Sequence, residues 1–232
     1  ARRGAPGVQI QYGFIALRMR VMVTGGGGFI GGRVASHLAA MGHVVFNVDR
    51  DNVSDGIRLG CDSIPIPVQA DLAADEELPG PLDAIVHCAA AIPAHVSDDD
   101  ELYRINQVMA KRVYEHAFEL NVRTVVNMSS MAVYGDVHEP IIDEETAPQK
   151  PSAYGRVKRE SESIAASWSK TKPGLAAISL RLPGIVGLGS HHNFLSDVMQ
   201  RLNHREAIVA VNPEAPFNNV VHLYLIHISE PT

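Results

Sequence analysis

Short runs of β-branched and other apolar residues alternate along the chain with longer stretches in which apolar residues recur every three or four positions. This alternation is typical of a parallel sheet whose strands are joined by crossover helices. The predicted strands cover 20–24, 44–48, 64–69, 83–88, 123–128 and 175–182. The pattern therefore predicts an α/β fold with a doubly wound parallel sheet.

The first helix is predicted directly after a glycine-rich stretch. Its apolar positions are Ile30, Val34, Leu38 and Met41, which the three- and four-residue steps place on one helical face. Gly42 follows them, and glycine often ends helices. We therefore expect this face to pack on the sheet and the helix to end at Gly42.

A second helix is predicted after an acidic run. Ser97 has the side chain of an N-cap, and the acids at 98–101 place negative charge at the positive end of the helix dipole. Because neighbouring side chains on a helix diverge, we interpret this run as a helix start and not as a metal site. The positions expected to be buried are Leu102, Ile105, Met109 and Val113. A third helix is predicted over 152–170.

Both ends of the chain differ from this pattern. The alternation stops after 182, and the segment 183–223, rich in glycine and proline, is expected to form the loops and short elements of a truncated substrate-binding region. Residues 1–18 precede Met19, the better start, and are interpreted as upstream read-through or an expression remnant. Residues 224–232 are interpreted as a non-native tail. The sheet domain is thus predicted to span 19–182.

Charge and hydropathy exclude two classes of partner. With 20 basic and 26 acidic residues the formal net charge is −6, which argues against a nucleic-acid binder. No apolar stretch approaches the roughly 20 residues of a membrane-spanning helix, so no membrane association is expected. At 46% hydrophobic residues the chain has enough apolar material for one globular domain.

Cysteine and histidine usage indicates the compartment and argues against a metal site. Two cysteines, Cys61 and Cys88, are too few for a disulfide scaffold, and Cys88 stands in an apolar run where a buried thiol is expected. We therefore predict a reducing, cytoplasmic location. The adjacent His191 and His192 have no further Cys or His cluster beside them, so no metal is predicted.

A glycine loop between the first strand and the first helix predicts a dinucleotide site. The stretch 24–31 places Gly25, Gly28 and Gly31 where a pyrophosphate would lie on the helix N-terminus, together with Phe29 and Ile30. The absence of a Cβ on glycine lets the backbone approach the phosphates. Four consecutive glycines satisfy many templates, so the position of the loop carries more weight than the spacing.

Asp49 ends the second strand, 24 residues after Gly25, where a carboxylate can accept hydrogen bonds from both ribose hydroxyls of an adenosine. Because that carboxylate would repel a 2′-phosphate, the sequence favours NAD over NADP. Arg50 is the opposing consideration, since an arginine can pair with such a phosphate. The alternative is a surface aspartate in a turn.

Tyr154 and Lys158 are four residues apart on one face of the third predicted helix. A tyrosine has a pKa near 10, and a nearby ammonium and an oxidised nicotinamide both lower it towards the range of a useful base. Ser129 and Ser130 follow the fifth predicted strand, at the sheet edge where ligands bind. The alternative interpretation is a serine-rich strand exit and a Tyr-Lys surface pair.

Three motifs resemble the extended short-chain dehydrogenase/reductase superfamily over 19–223. They are the glycine loop, the pair Asp71-Leu72 after the third strand, and His87-Cys88-Ala89-Ala90 after the fourth. The resemblance implies a Rossmann domain in which Asp71 and Leu72 lie beside the adenine and Ala89 and Ala90 pass under the cofactor. It also implies that Asn106, on a helix, supports the sheet edge near the active site.

The same resemblance assigns the chemistry. Ser130, four residues before the Tyr of a Val-Tyr-Gly turn, matches the residue that hydrogen-bonds the reacting hydroxyl, and Tyr154 follows 24 residues later with Lys158 after it. Pro183 matches the start of a turn beside the nicotinamide. Two positions of that turn depart from the family, since Gly184 and Gly187 replace an Asn and a Tyr, so the sugar contacts of the best-known members do not transfer.

The function implied is that of an NAD-dependent epimerase/dehydratase, most directly a 4-epimerase of a UDP-linked hexose. A 4,6-dehydratase is disfavoured because Met131 and Ala132 stand where that branch has acids. Two alternatives remain open: an NAD(P)-dependent reductase of a keto sugar or other carbonyl substrate, and a non-catalytic dinucleotide-binding regulator. The expected partners are a nucleotide-sugar substrate and, through the helices at 101–120 and 152–170, a second copy of the chain.

Overall fold

The fold is seen in a computed structural model, which describes residues 17–51, 64–139, 141–171, 173–190, 194–208 and 220–222. Within those residues the main sheet contains β1 (Arg20–Thr24), β2 (Val44–Asp49), β3 (Ile66–Gln69), β4 (Ala84–His87), β5 (Thr124–Ser130) and β6 (Ala176–Leu182). Each predicted strand is present, with bounds that differ by at most two residues. All neighbouring strands are parallel, in the order β3-β2-β1-β4-β5-β6.

This strand order confirms the predicted doubly wound Rossmann sheet. The chain runs outward from β1 to β3 and then returns to place β4 on the other side of β1, where Thr24 is in register with His87. The order therefore reverses between β1 and β4. Ligands of open α/β sheets bind at the carboxyl ends of the strands at such a reversal, and the glycine loop follows β1 there.

Four helices cover the sheet or follow it in the described part of the chain. They are α1 (Phe29–Ala40), α2 (Asp99–Glu119), α3 (Ala153–Ser169) and α4 (Phe194–Asn203). A single 3-10 turn, Met131–Val133, follows β5. After β6 come β7 (Gly184–Val186) and β8 (Val220–His222), which pair in parallel. The ten-residue α4 is longer than the short elements expected in 183–223.

The buried face of α1 differs from the predicted apolar stripe. Its buried residues are Gly31, Gly32, Ala35, Ser36 and Ala39. Of the predicted stripe, Met41 lies beyond the helix and is 57% exposed, while the other members are at most partly buried. Small side chains let the helix axis approach the sheet closely, and the larger apolar residues flank that contact. Val34 and Leu38 are partly buried and pack against the core on this side of the sheet, so the prediction is confirmed for these two residues and wrong for Met41.

The start of α2 also differs by one residue from the prediction. The N-cap is Asp98, not Ser97, and its side chain accepts a hydrogen bond from the backbone N–H of Glu101 at 2.7 Å. Both residue types cap well, so the choice depends on which one has extended backbone geometry at the helix start. Asp98 and the acids that follow it lie at the helix start, as predicted.

Two apolar layers lie on opposite faces of the sheet. One joins α1 to the middle strands and includes Val21, Val45 and Val86. The other joins α2 and α3 to the sheet and includes Ile85 and Val113. The helix-bearing faces are therefore both filled, as a parallel sheet requires.

Several predictions concern residues outside the described ranges, namely Cys61, His191, His192, residues 1–16 and the tail 224–232. Cys88 is described and partly buried, and burial raises the pKa of its thiol to about 12. Among the described residues, no cluster of three or more His, Cys, Asp or Glu side chains could hold a metal ion. No helix in the same ranges combines the length and apolar character needed to cross a membrane.

Candidate functional site

The glycine loop packs tightly on the segment that follows β4. Gly25 has φ +70°, and a Cβ there would lie 2.6 Å from the backbone nitrogen of Ala89. A Cβ on Gly31 would overlap the carbonyl group of Gly25. Gly28 caps α1, and its N–H donates to the carbonyl oxygen of Gly25 at 3.0 Å. Gly25 and Gly31 therefore need to be glycine for the loop to close on itself and on Ala89.

The N-terminus of α1 has no negative group of its own. Gly28 supplies no side-chain cap, and the first turn, which begins with Phe29 and Ile30, contains no acidic residue. The positive end of the helix dipole is therefore not neutralised by a side chain of this turn. A loop that admits no Cβ beside such an end fits a pyrophosphate.

Asp49, the last residue of β2, faces the glycine loop. Its Oδ2 accepts from the N–H of Gly27 at 2.8 Å, and its Oδ1 accepts from the N–H of Asp51 at 3.3 Å. Arg50 points to solvent and forms an ion pair with Asp51, with Nε and Oδ2 3.6 Å apart. A carboxylate held at the loop in this way can accept hydrogen bonds from ribose hydroxyls.

A polar cleft lies beside Asp49. Its volume is about 520 Å³, and its lining residues are Arg50, Asp51, Gln69, Asp71 and Glu76. The N–H of Asp71 donates to Glu76 Oε2 at 2.8 Å, while Asp71 Oδ1 accepts from the N–H of Ala73 at 2.8 Å. Leu72, the next residue, is buried in the α2–α3 layer of the core. Of the Asp-Leu pair, only Asp71 thus lines the cleft.

The segment after β4 is fixed by side chains from two elements. Thr24 Oγ1 accepts from the N–H of Ala89 at 3.3 Å and lies 2.8 Å from His87 Nδ1. On the other side, Asn106 accepts from the N–H of Ala91 at 3.0 Å and donates to its carbonyl oxygen at 3.1 Å. A third bond from Asn106 reaches Leu102 O. Asn106 therefore supports the segment containing Ala89 and Ala90 through its backbone.

Tyr154 and Lys158 lie in the first two turns of α3. The helix starts after Ser152, whose Oγ accepts from the N–H of Gly155 at 3.2 Å. Lys158 is buried, its Nζ lies 5.6 Å from the centre of the Tyr154 ring, and it donates to the carbonyl oxygen of Met128 at 2.8 Å. The cation is therefore held between the phenol ring and the carboxyl end of β5.

Ser130 ends β5 and begins the 3-10 turn, where its Oγ accepts from the N–H of Ala132 at 3.2 Å. A Cβ on Gly155 would overlap the carbonyl oxygen of Ala132, so the first turn of α3 touches this turn directly. Ser130 is also in register with Leu182, which precedes Pro183. The structure thus brings Ser130, the start of α3 and Pro183 to the same edge of the sheet.

Burial shifts the acid–base behaviour of the buried groups. It lowers the pKa of Lys158 to about 8, and together with the Lys158 charge it lowers the pKa of His87 to about 3. Burial raises the pKa of Tyr154, which is opposite to the lowering expected from Lys158 and an oxidised nicotinamide. Desolvation of the phenolate is the dominant effect in the protein alone, and a phenolate here needs further positive charge.

Two residues of the site, Glu162 and Arg181, were missed at the level of sequence. Glu162 on α3 and Arg181 on β6 form a two-point ion pair that also contacts Ser129 and Tyr134. Glu162 follows Lys158 by one helical turn, and this spacing could have revealed it. Arg181 carries no such signal, because its partner is distant in sequence.

Comparison with known proteins identifies one family. Its model, described as "NAD dependent epimerase/dehydratase family", matches residues 21–216. D-erythronate dehydrogenase of Haemophilus influenzae is 29% identical over 84% of this chain and 66% of that protein. UDP-glucose 4-epimerase of Corynebacterium glutamicum is 28% identical over 73% of this chain and 52% of that protein. The chain thus spans about half to two thirds of the length of these relatives.

Solved structures agree with this comparison. A crystal structure of UDP-galactose 4-epimerase is 28% identical, with a TM-score of 0.74 over 89% of this chain and 68% of the other. A structure of MoeE5 with UDP-glucose and NAD is 24% identical, with a TM-score of 0.75 over 89% and 69%. At 24% identity, the similarity to MoeE5 supports the fold alone.

Proposed function

The chain belongs to the NAD dependent epimerase/dehydratase family, and from this membership we propose that it is a 4-epimerase of a UDP-linked hexose that works by transient oxidation of a sugar carbon. The observation that carries the proposal is the position of Lys158. Its ammonium lies 5.6 Å from the Tyr154 ring centre and donates a hydrogen bond to the carbonyl oxygen of Met128, two residues before Ser130. A base, its activating cation and a hydroxyl-binding serine therefore share one edge of the sheet.

The cofactor of this family is NAD, and the glycine loop fits its pyrophosphate, because side chains at Gly25 and Gly31 would collide with backbone. We propose that Asp49 accepts the adenosine ribose hydroxyls and that Asn106 positions the segment under the cofactor. The proposed contact residues are Gly25, Gly28, Phe29, Ile30, Gly31, Asp49, Arg50, Asp71, Leu72, Ala89, Ala90, Tyr154, Lys158 and Pro183.

Tyr154 acts as the general base in the proposed reaction. It removes the proton from the hydroxyl at the reacting carbon, while Ser130 hydrogen-bonds the same oxygen and holds it near the phenol. NAD, when bound, supplies a hydride acceptor and, in its oxidised form, a positive charge. Lys158 stabilises the phenolate, and its buried ammonium acts at short range in a poorly solvated site.

Tyr154 also completes the cycle, because the phenol returns its proton when the sugar carbon is reduced again. An epimerase needs the keto sugar to present its other face before this step, so the substrate region must hold the nucleotide while the hexose turns. No net oxidation results. Met131 and Ala132 occupy the start of the 3-10 turn and carry no carboxylate, so these two positions supply no acid for the elimination of water.

A second candidate is net oxidoreduction of a hydroxyl or carbonyl substrate. What favours it is the similarity to D-erythronate dehydrogenase, which extends over 84% of this chain. Ser130, Tyr154 and Lys158 would have the same roles in that reaction. The difference is that reduced cofactor accumulates or is consumed in proportion to product.

We propose in addition that the active protein is a homodimer. An apolar groove of about 510 Å³ runs between α2 and α3, and its apolar lining residues include Tyr114, Phe118, Ile164 and Trp168. Phe118 is 52% exposed in the single chain. Light scattering after size exclusion tests this directly: a dimer mass supports it, and a monomer mass at micromolar concentration contradicts it.

The test of function incubates the protein with a panel of UDP-hexoses and catalytic NAD, with Tyr154→Phe as control. Proton NMR follows the anomeric signals while absorbance at the NADH band is recorded. Interconversion of two epimers without NADH build-up, absent in the control, is the expected result. Turnover only with stoichiometric NADH or NADPH and a keto substrate would favour the second candidate.

A further inference from the structure

An ion pair joins α3 to the edge strand β6 next to the proposed active site. Arg181 Nε donates to Glu162 Oε1 at 3.0 Å, and Arg181 Nη2 donates to Glu162 Oε2 at 2.8 Å. The side chains are 28% and 15% exposed, respectively. The two parallel bonds fix the orientation as well as the separation of the two groups.

The same carboxylate also holds the end of β5. Ser129 Oγ donates to Glu162 Oε1 at 2.5 Å, and Ser129 is buried beside Ser130 in the sequence. Glu162 therefore accepts three hydrogen bonds, two from Arg181 and one from Ser129. Hydrogen bonding to both donors lowers the pKa of Glu162 against the opposing effect of burial, so the carboxylate stays charged.

The guanidinium of Arg181 reaches the turn that follows Ser130. Its Nη1 donates to Tyr134 Oη at 2.8 Å, and its carbon lies 4.9 Å from the centre of that ring. Nη1 also donates to the carbonyl oxygen of Glu144 at 3.2 Å, and Tyr134 Oη donates to that of Asp143 at 2.7 Å. One arginine thus connects β6, the 3-10 turn and the loop before α3.

Tyr154, Lys158 and Glu162 follow one another at four-residue steps and lie on one face of α3. Two of the three are bonded to successive residues of β5: Lys158 to the carbonyl of Met128, and Glu162 to the hydroxyl of Ser129. The third is the proposed base. The face of α3 that carries the base is therefore attached to the strand that ends in Ser130.

We propose that Glu162 and Arg181 are positioning residues, which hold Tyr154 and Lys158 at the reactive distance from Ser130. The proposal rests on the proposed function, because it takes its meaning from the roles of those three residues. Partly buried ion pairs contribute little net stability compared with apolar packing, whereas their fixed geometry specifies how two elements meet. Small misplacements of reacting groups are costly in rate, on the order of a hundredfold per ångström.

The variant that tests the proposal is Glu162→Gln, which keeps the size of the side chain and removes its charge. The amide nitrogen is a donor, so one face of the side chain would oppose the guanidinium N–H groups. The matched control is Glu101→Gln. Glu101 also forms a two-point pair, with Arg104 at 2.9 and 3.1 Å, but it is on the exposed start of α2.

In the epimerase assay, rates are expressed per bound NAD, so that loss of folded protein does not count as loss of rate. We expect kcat of Glu162→Gln to fall about tenfold to a hundredfold, with KM changed by less than about threefold. Arg181→Lys, which keeps the charge and loses the fork, should give a similar fall, and the double variant should not be additive. Unchanged kcat with a lower melting temperature would overturn the proposal.

A second readout needs no substrate. In protein labelled with 13Cζ-tyrosine, the Tyr154 signal is assigned by its loss in Tyr154→Phe, and its pKa is read from the shift against pH. Burial raises the pKa of Tyr154, so a loosened α3 should lower it towards the ordinary value in Glu162→Gln and leave it unchanged in Glu101→Gln. If the pKa of Tyr154 is the same in both variants and in the unaltered chain, the proposal is overturned.

The two readouts separate this proposal from the proposed function. A shifted Tyr154 titration without turnover of any sugar by the unaltered chain contradicts the epimerase assignment and supports the positioning role of the pair. Should Glu162→Gln fail to fold, Arg181→Lys keeps the carboxylate and its bond to Ser129 but loses the two-point pair. We then expect the same shift with a smaller amplitude, and an unchanged titration overturns the proposal.

Discussion

Lys158 Nζ donates a hydrogen bond of 2.8 Å to the carbonyl oxygen of Met128. The bond holds the ammonium two residues before Ser130, at the end of β5, and Gly155 packs against the turn that follows. The position of the cation is thus set by the sheet and by α3 of the protein itself. The protonation state of Lys158 should therefore determine how activity depends on pH.

Above pH 8 we expect activity to decline. Burial lowers the pKa of Lys158 to about 8, so the ammonium that stabilises the phenolate is present below this pH and is lost as pH rises through it. A profile of kcat against pH between 6 and 10 measures the decline. Lys158→Arg should lower kcat but remove the decline, because arginine stays charged. The control is Lys170→Arg, at the exposed end of α3, which should leave the pH profile unaltered. If the decline in activity persists in Lys158→Arg, a group other than Lys158 causes it.

Acid should destabilise the fold through His87. Its pKa is lowered to about 3 by burial and by Lys158, so below the ordinary value near 6.5 the unfolded chain binds a proton that the folded chain does not. Stability from this group is present above pH 6.5 and falls as pH decreases, by about 2 kcal/mol at pH 5. Urea unfolding at pH 7.5 and pH 5 measures this difference.

The control for that experiment uses two substitutions. His87→Gln removes the titrating group, so its stability should change less between the two pH values than that of the unaltered chain. His138→Gln, in an exposed loop, should retain the full difference. Equal pH dependence in all three proteins would show that His87 is not the source.

Asp49→Asn should weaken NAD binding. The substitution removes a charged acceptor whose bonds to ribose hydroxyls are worth about 1.5–3 kcal/mol, or about tenfold to a hundredfold in Kd. Isothermal titration with NAD measures the change. Asp75→Asn, whose side chain is 95% exposed, pairs with Arg112 and does not line the cleft, is the control and should bind like the unaltered chain. Equal Kd values for Asp49→Asn and the control would remove Asp49 from the ribose site.

Gly25→Ala should abolish NAD binding, because its Cβ would lie 2.6 Å from Ala89 N and displace the segment after β4. Gly42→Ala is the matched control: Gly42 also has positive φ, but a Cβ there would meet no atom within 4 Å. Both variants should lose roughly 1 kcal/mol of stability from backbone strain. Thermal unfolding measures the loss of stability, and calorimetric titration measures NAD binding. Retained NAD affinity in Gly25→Ala would contradict the role of the loop.

The sheet and the glycine loop could be predicted because both depend on local sequence. Strand runs and the spacing from Gly25 to Gly31 are readable in a few residues, and the βαβ alternation predicted a doubly wound parallel sheet. The packing face of α1 could not be predicted in the same way. Its small residues, such as Ala35 and Ala39, are buried because the helix lies close to the sheet, and hydrophobic periodicity gives more weight to Val34 and Leu38.

The site was predictable where a motif is contiguous and less so where it is assembled. Tyr154 and Lys158 belong to one helix, whereas Arg181 and Glu162 come together only when β6 and α3 pack. The pKa of Tyr154 was the other difference, since the degree of burial depends on tertiary structure. A sequence shows the pairing of a phenol with an amine, but the desolvation of the phenol appears only in the folded chain.

The central claim is that Tyr154 serves a reversible oxidation at one sugar carbon, and a deuterium label tests it most directly. The protein is incubated in ordinary water with NAD and a UDP-hexose deuterated at C4, and the epimeric product is analysed by NMR and mass spectrometry. We predict that the product retains its deuterium at C4 and that Tyr154→Phe forms no product. Loss of the label to solvent, or equal product formation by Tyr154→Phe, would contradict the account.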